Sequence, residues 1–543
     1  NGDFVNMEEN GLESLQEVRQ ALQLTDKQLM QDKIEVPAYR MLYLDETLQE
    51  NAMMEVIRDV SFASRIEKLQ NPDFEKDYVP DSLKGILREY QKAGAAWIGM
   101  LYSNQFGGIL ADDMGLGKTL QVISFLLVEH TGCSLIVCPA SLVYNWKHEL
   151  ERFAPSLKAD MVTGNVQQRK EVLDRWKEVD VLITSYDLLR RDITDYQELH
   201  FFCEVIDEAQ YIKNHGTQAA RAVKQVQTGF RLALTGTPIE NRLSELWSIF
   251  DYLMPGYLYS YQRFRTELEQ PIVQHKDEDA AKRLQRLIRP FVLRRLKKEV
   301  LQDLPDKLEE NLYAEMDGEQ QELYDAHVRR MKLMLEEKSD EEIRTDKIEI
   351  LAELTRLRQL CCDPALLYDN YKGGSAKTEL VRGLIRNAVE NGHKVLLFSQ
   401  FTTMLERLYR ILEEEKIASH MLTGATPKEK RIEMVESFAH DEVPVFCISL
   451  KAGGTGLNLT AADVVIHFDP WWNSAVQNQA TDRAHRIGQK NVVNVYRILA
   501  KGTIEEKIVE LQERKLQLSD RILGGESLQA QGLTREELLE LLR

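Results

Sequence analysis

Six cysteines in 543 residues, Cys133, Cys138, Cys203, Cys361, Cys362 and Cys447, include no C-x-x-C pair and no His at zinc-ligand spacing beside them. That excludes a structural metal finger. Most of them stand in apolar runs such as SLIVCP and VFCISL, where a free thiol behaves as a small buried hydrophobe, and such usage fits a reducing compartment. Missing too is any run approaching about 18 apolar residues, and any basic-then-apolar leader, so no membrane partner is expected. The first residue is Asn1 rather than Met, and a fragment is therefore expected. There is no low-complexity tract and no internal repeat. Nor is there an excess of positive charge: 69 Lys and Arg stand against 87 Asp and Glu, a net −18, so the molecule as a whole repels nucleic acid and any such contact has to be local. The one obvious basic run, Lys282 to Lys298, holds Arg283, Arg286, Arg289, Arg294, Arg295 and Lys297; its plainer reading is a solvated helix face.

What is present is the composition of a globular protein, 43% hydrophobic and 29% charged, in a chain too long for one core. Residues 1–80 read as helices and connectors, with a capping box at Thr25 to Gln28. From Ile109 the texture becomes short apolar runs followed by turns and amphipathic helices: GGILA, SLIVCPA, VDVLITSY, FFCEVIDEA and RLALTG. Alternation of that kind predicts a parallel sheet covered on both faces. Residues 81–300 are taken as this first lobe, with a helical insertion over about 244–300. Leu301 to Leu312, with Pro305, reads as a hinge. The charged stretch from Asp317 to Cys362, within a protrusion over about 317–372, is too polar at EEKSDEEIRTDK to be buried. Strand and helix alternation resumes in HKVLLFSQF, VPVFCISL and DVVIHFDP, a second lobe over 301–502. Thr426 is placed as an N-cap with Pro427 as first helical residue, and Thr503 with Glu506 repeats the device for a bracing helix to about Leu523, within a tail over 503–543.

Three motifs carry chemistry. Asp112-Asp113-Met114-Gly115-Leu116-Gly117-Lys118-Thr119 follows a strand and opens a helix. Gly115 and Gly117 let backbone N–H groups turn toward phosphate oxygens, Lys118 supplies charge at the β/γ-phosphates, and the Thr119 hydroxyl can hold Mg²⁺. The first glycine of the general phosphate-loop pattern is replaced by Asp112. Asp207-Glu208 ends the apolar strand FFCEVI, where parallel sheets bind ligands: Asp207 for Mg²⁺, Glu208 to orient or deprotonate the attacking water. A helix cap is the ordinary alternative. Gln479, Arg483 and Arg486 are spaced i, i+4, i+7, which a helix places on one face, so that the guanidinia could stabilise charge on a transferring phosphoryl group. On spacing alone a salt-bridging helix face explains them as well.

The order of these motifs carries a resemblance. LREYQKAG, the phosphate loop, PASLVYNW, TSYDLL, DEAQ and LTGTPIEN resemble the first lobe of superfamily 2 helicases, and LFSQF, SLKAGGTGLNLT and QATDRAHRIGQ the second. DMGLGKT, AGGTGLNLT, DPWWN and DRAHRIGQ are similar in wording to the SWI/SNF branch, over roughly Leu83 to Lys507. The resemblance implies two RecA-like α/β lobes with helical insertions, and ATP with Mg²⁺ held in the cleft between them. Gln91 reads adenine; Gly456 and Gln479, with Arg483 and Arg486, complete the site from the opposite lobe. Ser185, Tyr186, Ser399, Gln400, Lys451 and Ala452 resemble the DNA-tracking contacts, which hold phosphates rather than read bases. Trp471 and Trp472 resemble a coupling element, with two core aromatics as the alternative. One departure is Ala209-Gln210 after the Asp-Glu pair, where chromatin-remodelling members usually carry a histidine; this favours a bacterial member.

The function so implied is a DNA-dependent ATPase, monomeric, that translocates on double-stranded DNA and remodels protein–DNA complexes without separating strands. DNA-bound proteins or RNA polymerase are the candidate targets, in the bacterial cytoplasm or nucleoid, or the nucleus of a eukaryote. The alternatives are an RNA or single-strand unwinding helicase and a nucleotide-binding scaffold with little turnover.

Overall fold

A computed structural model of the chain describes residues 77–236, 243–275, 277–301, 304–338, 346–453, 458–471 and 474–510, with scattered positions over 40–66 and at 512 and 542. The capping box at Thr25 to Gln28 lies outside the described residues. The chain divides into two compact units. Apart from Asp113–Leu116, which group with the second, the first runs to Arg295, and the second begins at Leu296.

Among the described residues the first unit is built on seven strands: β1 Gly108–Leu110, β2 Ser134–Cys138, β3 Ala159–Met161, β4 Val181–Ser185, β5 His200–Ile206, β6 Gln227–Leu234 and β7 Val292–Leu293. They lie in the order β3-β4-β2-β5-β6-β1-β7, and every neighbouring pair is parallel. Parallel neighbours require crossovers, and those crossovers cover the faces with helices; the strands β1, β2 and β4 are accordingly buried throughout. The insertion after β6 is helical as expected. Its helix Glu278–Ile288 buries Ala280, Leu284, Leu287 and Ile288, a single face at helical spacing. The chain then returns as β7, which pairs with β1. Two residues of strand inside an arginine-rich run gave no alternating pattern to read.

Among the described residues the second unit holds six parallel strands: β8 Lys307–Ala314, β9 Val395–Ser399, β10 Ser419–Leu422, β11 Val445–Ser449, β12 Val464–His467 and β13 Val493–Ala500. Their order is β10-β11-β9-β12-β13-β8. The expected hinge is corrected here: β8 pairs along its whole length with β13. Its sequence KLEENLYA is mostly exposed because an edge strand needs a partner on one side only, and charge there discourages pairing with other chains. The charged stretch beyond it forms helices Gly318–Glu337 and Lys347–Cys362. Tyr324, Met331 and Leu335 of one pack with Ile350, Leu354, Leu357 and Leu360 of the other, and with Ala500, Ile504 and Ile508. Polar outside and apolar along one seam, the pair is only partly the surface element its composition implied.

One helix start is also shifted and another stands where expected. The helix Lys428–His440 begins one residue later than expected, because the Thr426 hydroxyl accepts from the Thr423 N–H and closes a turn. Residues 504–510 are helical. Ahead of them the Thr503 hydroxyl accepts from the Glu505 N–H at 3.2 Å and donates to the Ala500 carbonyl at 2.7 Å. All six cysteines are buried and free. Burial pushes the thiols of Cys133 and Cys447 up to about 12, so they are inert hydrophobes.

The start of the 504–510 helix is fastened by charge. Lys377, on the helix Ala376–Glu390, donates to both carboxylate oxygens of Glu505 at 2.9 Å, and both side chains are fully buried. Glu505→Ala leaves an ammonium in the core without its partner and is expected to cost about 3–5 kcal/mol in denaturant unfolding, while the double change Lys377→Met, Glu505→Leu costs far less. Equal losses in the two variants would refute the pairing.

Candidate functional site

In the first unit the phosphate loop leaves β1 and enters the helix Lys118–Val128. Gly115 and Gly117 both have positive φ, 88° and 76°, which a side chain would make costly. Gly117 is the left-handed N-cap, so Lys118 and Thr119 open the helix, and the first turn of a helix presents its N–H groups outward, an arrangement suited to phosphate. A Cβ on Gly117 would stand 2.4 Å from the Gln91 amide nitrogen. Gln91 is buried, in the first turn of helix Glu89–Ser103, and its side-chain oxygen accepts from the Arg88 N–H at 2.9 Å. The structure thus brings Gln91, Gly117, Lys118 and Thr119 together. The Lys118 ammonium donates to the Asp112 carbonyl at 2.6 Å.

Asp207 follows β5 directly. Its Oδ2 accepts from the Trp146 indole N–H at 2.9 Å and its Oδ1 from the Glu208 N–H at 2.8 Å. Burial, and then the Glu208 carboxylate, raise its pKa, with Lys118 acting the other way. A cation at Asp207 would remove that penalty. Thr119 and Asp207 offer hard oxygen ligands of the kind Mg²⁺ takes. Among the described residues no group of three His, Cys, Asp or Glu could hold a metal alone, so water and bound phosphates would supply the remaining ligands of a Mg²⁺ there. Glu208 is held at φ 51°, a left-handed conformation uncommon outside glycine. Its Oε2 accepts from the Gln210 amide at 2.8 Å, and Gln210 Oε1 accepts from the Thr235 hydroxyl at 3.1 Å. Gln210, the departure in the sequence, therefore joins LTG to the carboxylate. As a neutral amide it does so at any pH.

Sequence reasoning missed two contacts. Trp146 is 1% exposed, and its quoted motif PASLVYNW carried no hint that the indole orients Asp207. Tyr186, expected at DNA, is buried: its hydroxyl donates to the Asp207 carbonyl at 2.8 Å, and its ring stacks on Tyr211 at 5.1 Å. Ser185 is buried as well, capping the helix Tyr186–Arg191 through the Leu188 N–H. These side chains brace the Asp207 turn from behind.

In the second unit the expected single face of Gln479, Arg483 and Arg486 is corrected. The helix Ser474–Thr481 ends before either arginine. The carbonyls beyond it are taken by other donors: Arg483 O by Leu459 N–H at 3.0 Å, His485 O by the Lys297 ammonium at 2.6 Å, and Ala484 O by the Gln489 amide at 3.2 Å. Arg483 and Arg486 therefore stand on a pinned loop, with Arg483 the more buried. Ser399 is fully buried, its hydroxyl donating to Asp469 Oδ1 at 2.5 Å. Gln400 Oε1 accepts from Arg358 at 3.1 Å, and Ala452 is buried. Side-chain contact of Ser399 or Ala452 with a phosphate is not what these positions provide; they shape the ends of β9 and β11. Lys451 lies in the turn after β11. Trp471 packs on a core cluster, as in the core alternative. Gly456 and Trp472 lie outside the described residues.

Three residues of the basic run turn to partners within the protein. Arg283 bonds the Glu267 carbonyl, Arg295 pairs with Asp112, and Lys297 pairs with Asp482. Lys282, Arg289 and Lys298 are exposed, so the solvated face that the charge pattern allowed is present in part.

Two parallel α/β sheets, the first carrying a glycine phosphate loop and an Asp-Glu pair at its strand ends, define a two-lobed, RecA-like nucleotide-binding protein of the helicase type. Comparison narrows the class. Residues 90–366 match the SNF2-related domain, 376–488 the helicase conserved C-terminal domain, and 1–80 a bacterial SNF2 helicase-associated family. The chain belongs to the SNF2-related family. It is 40% identical over 517 residues to an uncharacterized ATP-dependent helicase of Mycoplasma pneumoniae, covering 94% of this chain and 49% of that protein. It is 41% identical to the putative ATP-dependent helicase/translocase YwqA of Bacillus subtilis, covering 85% and 51%. The chain spans about half the length of the curated relatives it matches. A solved Sulfolobus solfataricus SWI2/SNF2 ATPase core in complex with dsDNA is 36% identical, with TM-score 0.41, covering 81% of this chain and 93% of that one. These bacterial relatives and the bacterial associated family meet the expectation of a bacterial branch.

The Thr235–Gln210–Glu208 chain of bonds gives an expected outcome. If Glu208 is the carboxylate that activates water, Gln210→Ala should lower turnover about tenfold with ATP affinity kept, since displacing that carboxylate affects the reacting water and not the bound ground state. Steady-state hydrolysis set beside equilibrium ATP binding checks it; an unchanged kcat would remove Gln210 from the relay.

Proposed function

We propose that this chain is a DNA-dependent ATPase that couples hydrolysis to translocation on double-stranded DNA and displaces bound proteins without separating the strands. The observation that carries the ATPase reading is the first unit's own arrangement: a glycine loop opening a helix, with Asp207 and Glu208 held by Trp146 and Gln210. In this reading the loop N–H groups and Lys118 bind the β- and γ-phosphates, and Gln91 faces the base. Thr119 and Asp207 hold Mg²⁺, which when bound neutralises phosphate charge. Glu208 orients the attacking water and takes its proton. Arg483 and Arg486 act as charge develops on the γ-phosphoryl oxygens, and Gly456 and Gln479 belong to the same constellation. The duplex preference rests on the SWI/SNF-type wording of the second unit and on relatives named as a translocase and as an SWI/SNF-related regulator of chromatin. Contact with DNA is assigned to the backbone and polar groups around Ser185-Tyr186, Ser399-Gln400 and Lys451-Ala452.

Lys118→Ala should abolish hydrolysis, and turnover close to the parent's would sink the site. Glu208→Gln and Arg486→Ala should each keep measurable ATP binding while losing hydrolysis, because each acts mainly as water attacks or charge develops; filter binding beside a phosphate-release assay separates the two.

Duplex DNA should stimulate the ATPase more than single strands or RNA, and binding should weaken with salt at a log–log slope near about −0.9 per phosphate neutralised. A third strand on a duplex should be displaced in an ATP-dependent way while a forked duplex stays paired. Unwinding of the fork with the triplex left intact would replace this reading with that of a strand-separating helicase.

A further inference from the structure

Arg295 ends the Gly117–Arg295 stretch of the first unit, and Lys297 is the second residue of the Leu296–Arg521 stretch of the other. Each makes more bonds than charge neutralisation requires. Asp112, which stands where a phosphate loop ordinarily has glycine, is fully buried. Arg295 Nε donates to its Oδ1 at 2.9 Å and Nη2 to its Oδ2 at 2.5 Å. The same guanidinium also donates to Gln121 Oε1 at 2.8 Å and to the Tyr90 carbonyl, and it lies over the Tyr90 ring. Gln121 closes the network by donating to Asp112 Oδ2 at 3.1 Å. One planar fork therefore ties together the residue before Gln91, the first residue of the phosphate loop and the helix that the loop opens. A single ammonium could neutralise Asp112 but could not reach all these acceptors. Room for the fork is kept by Gly94, whose Cβ would fall 1.7 Å from Gln121 Oε1 and 2.8 Å from Arg295 Nη2.

Lys297 does the same for the second unit. Its ammonium is largely buried and donates to Asp482 Oδ1 and to the His485 carbonyl, both at 2.6 Å. Those two residues alternate with Arg483 and Arg486 in the chain, so the lysine spans the loop on which both arginines stand. Burial lowers the Lys297 pKa and Asp482 opposes the shift, as for an amine kept charged by its partner.

We propose that Arg295 and Lys297 are positioning residues for ATP turnover, Arg295 setting the phosphate loop against Gln91 and Lys297 setting the loop that carries Arg483 and Arg486. The inference rests on the ATPase reading above. It assigns different kinetic roles to two residues that sequence alone groups into one basic run.

The test uses the whole chain, with ATP binding followed by a fluorescent ATP analogue and hydrolysis by phosphate release. Arg295→Lys keeps a charge beside Asp112 and loses the fork, so it should raise the Kd about tenfold or more, and Arg295→Ala should do so at least as strongly. Lys297→Ala and Asp482→Asn should leave the Kd within about twofold of the parent and lower kcat about tenfold or more. Thermal unfolding is recorded for each variant. If an alanine variant does not fold, Arg295→Lys and Asp482→Asn carry the comparison. Folded variants with parental Kd and kcat overturn the proposal, and so does the opposite split, with Arg295→Lys changing only kcat and Lys297→Ala only Kd. Lys118→Ala run alongside separates the two claims. If it is inactive while the others behave as the parent, only the positioning roles fail; if it turns over normally, the ATPase reading itself has failed.

Discussion

A carboxylate taken wholly out of water is tolerated only when its charge and its lone pairs are met, and Asp112 imposes that requirement on the first unit. Its position at the head of the phosphate loop means that whatever satisfies it is also placed. Arg295 has to arrive from the far end of the helical insertion, which it does by way of β7 lying against β1, with the Ala111 N–H bonded to Leu293 O at 2.7 Å. Gln121 has to point back from the helix, and Gly94 has to lack a side chain. The substitution that weakens a bare phosphate-loop pattern is thus the residue around which this version of the loop is organised.

The second unit shows the same economy at the ends of its strands. Asp469, fully buried after β12, accepts from the Ser399 hydroxyl and stands 3.7 Å from Arg358, which also holds Gln400 and the Pro470 carbonyl. Burial raises the Asp469 pKa, and the Arg358 and Lys377 charges counter it. Strand ends carrying such networks can hold backbone amides and a few polar tips at fixed places, which suits contacts to a regular phosphate backbone better than reading of bases does.

Much of this was legible in the chain, and what was not has physical causes. The phosphate loop and the Asp-Glu pair could be read because a glycine pattern between an apolar strand and a helix has few other uses. Strands buried on both faces announce themselves as continuous apolar runs, and VFCISL and SLIVCP were readable for that reason. The strands β7 and β8 were missed because one is two residues long and the other a charged edge. The helix assumed through Arg486 was extrapolated from spacing, and spacing cannot register that the carbonyls of Arg483, Ala484 and His485 are claimed by Leu459, Gln489 and Lys297. Ser185, Tyr186 and Ser399 carried family wording for DNA contact, whereas burial turned their side chains inward, to a helix cap, to Asp207 and to Asp469.

The charge balance gains a sharper meaning from the fate of the basic run. With a net charge of −18, a DNA-tracking surface would ordinarily be sought in the densest cluster of Arg and Lys. Here three members of that cluster are engaged within the protein, Arg283 by the Glu267 carbonyl, Arg295 by Asp112 and Lys297 by Asp482, while Lys282, Arg289 and Lys298 stay exposed. A guanidinium engaged in a buried fork cannot also release a counterion from a phosphate, so Arg295 adds nothing to the electrostatic part of DNA affinity. On the proposed reading, affinity for duplex has to come from cations other than Arg283, Arg295 and Lys297, against the repulsion of the net negative charge. A salt-sensitive grip of that kind is compatible with the proposed movement, because a motor that must release and rebind at every step gains nothing from phosphate contacts too strong to break within its cycle.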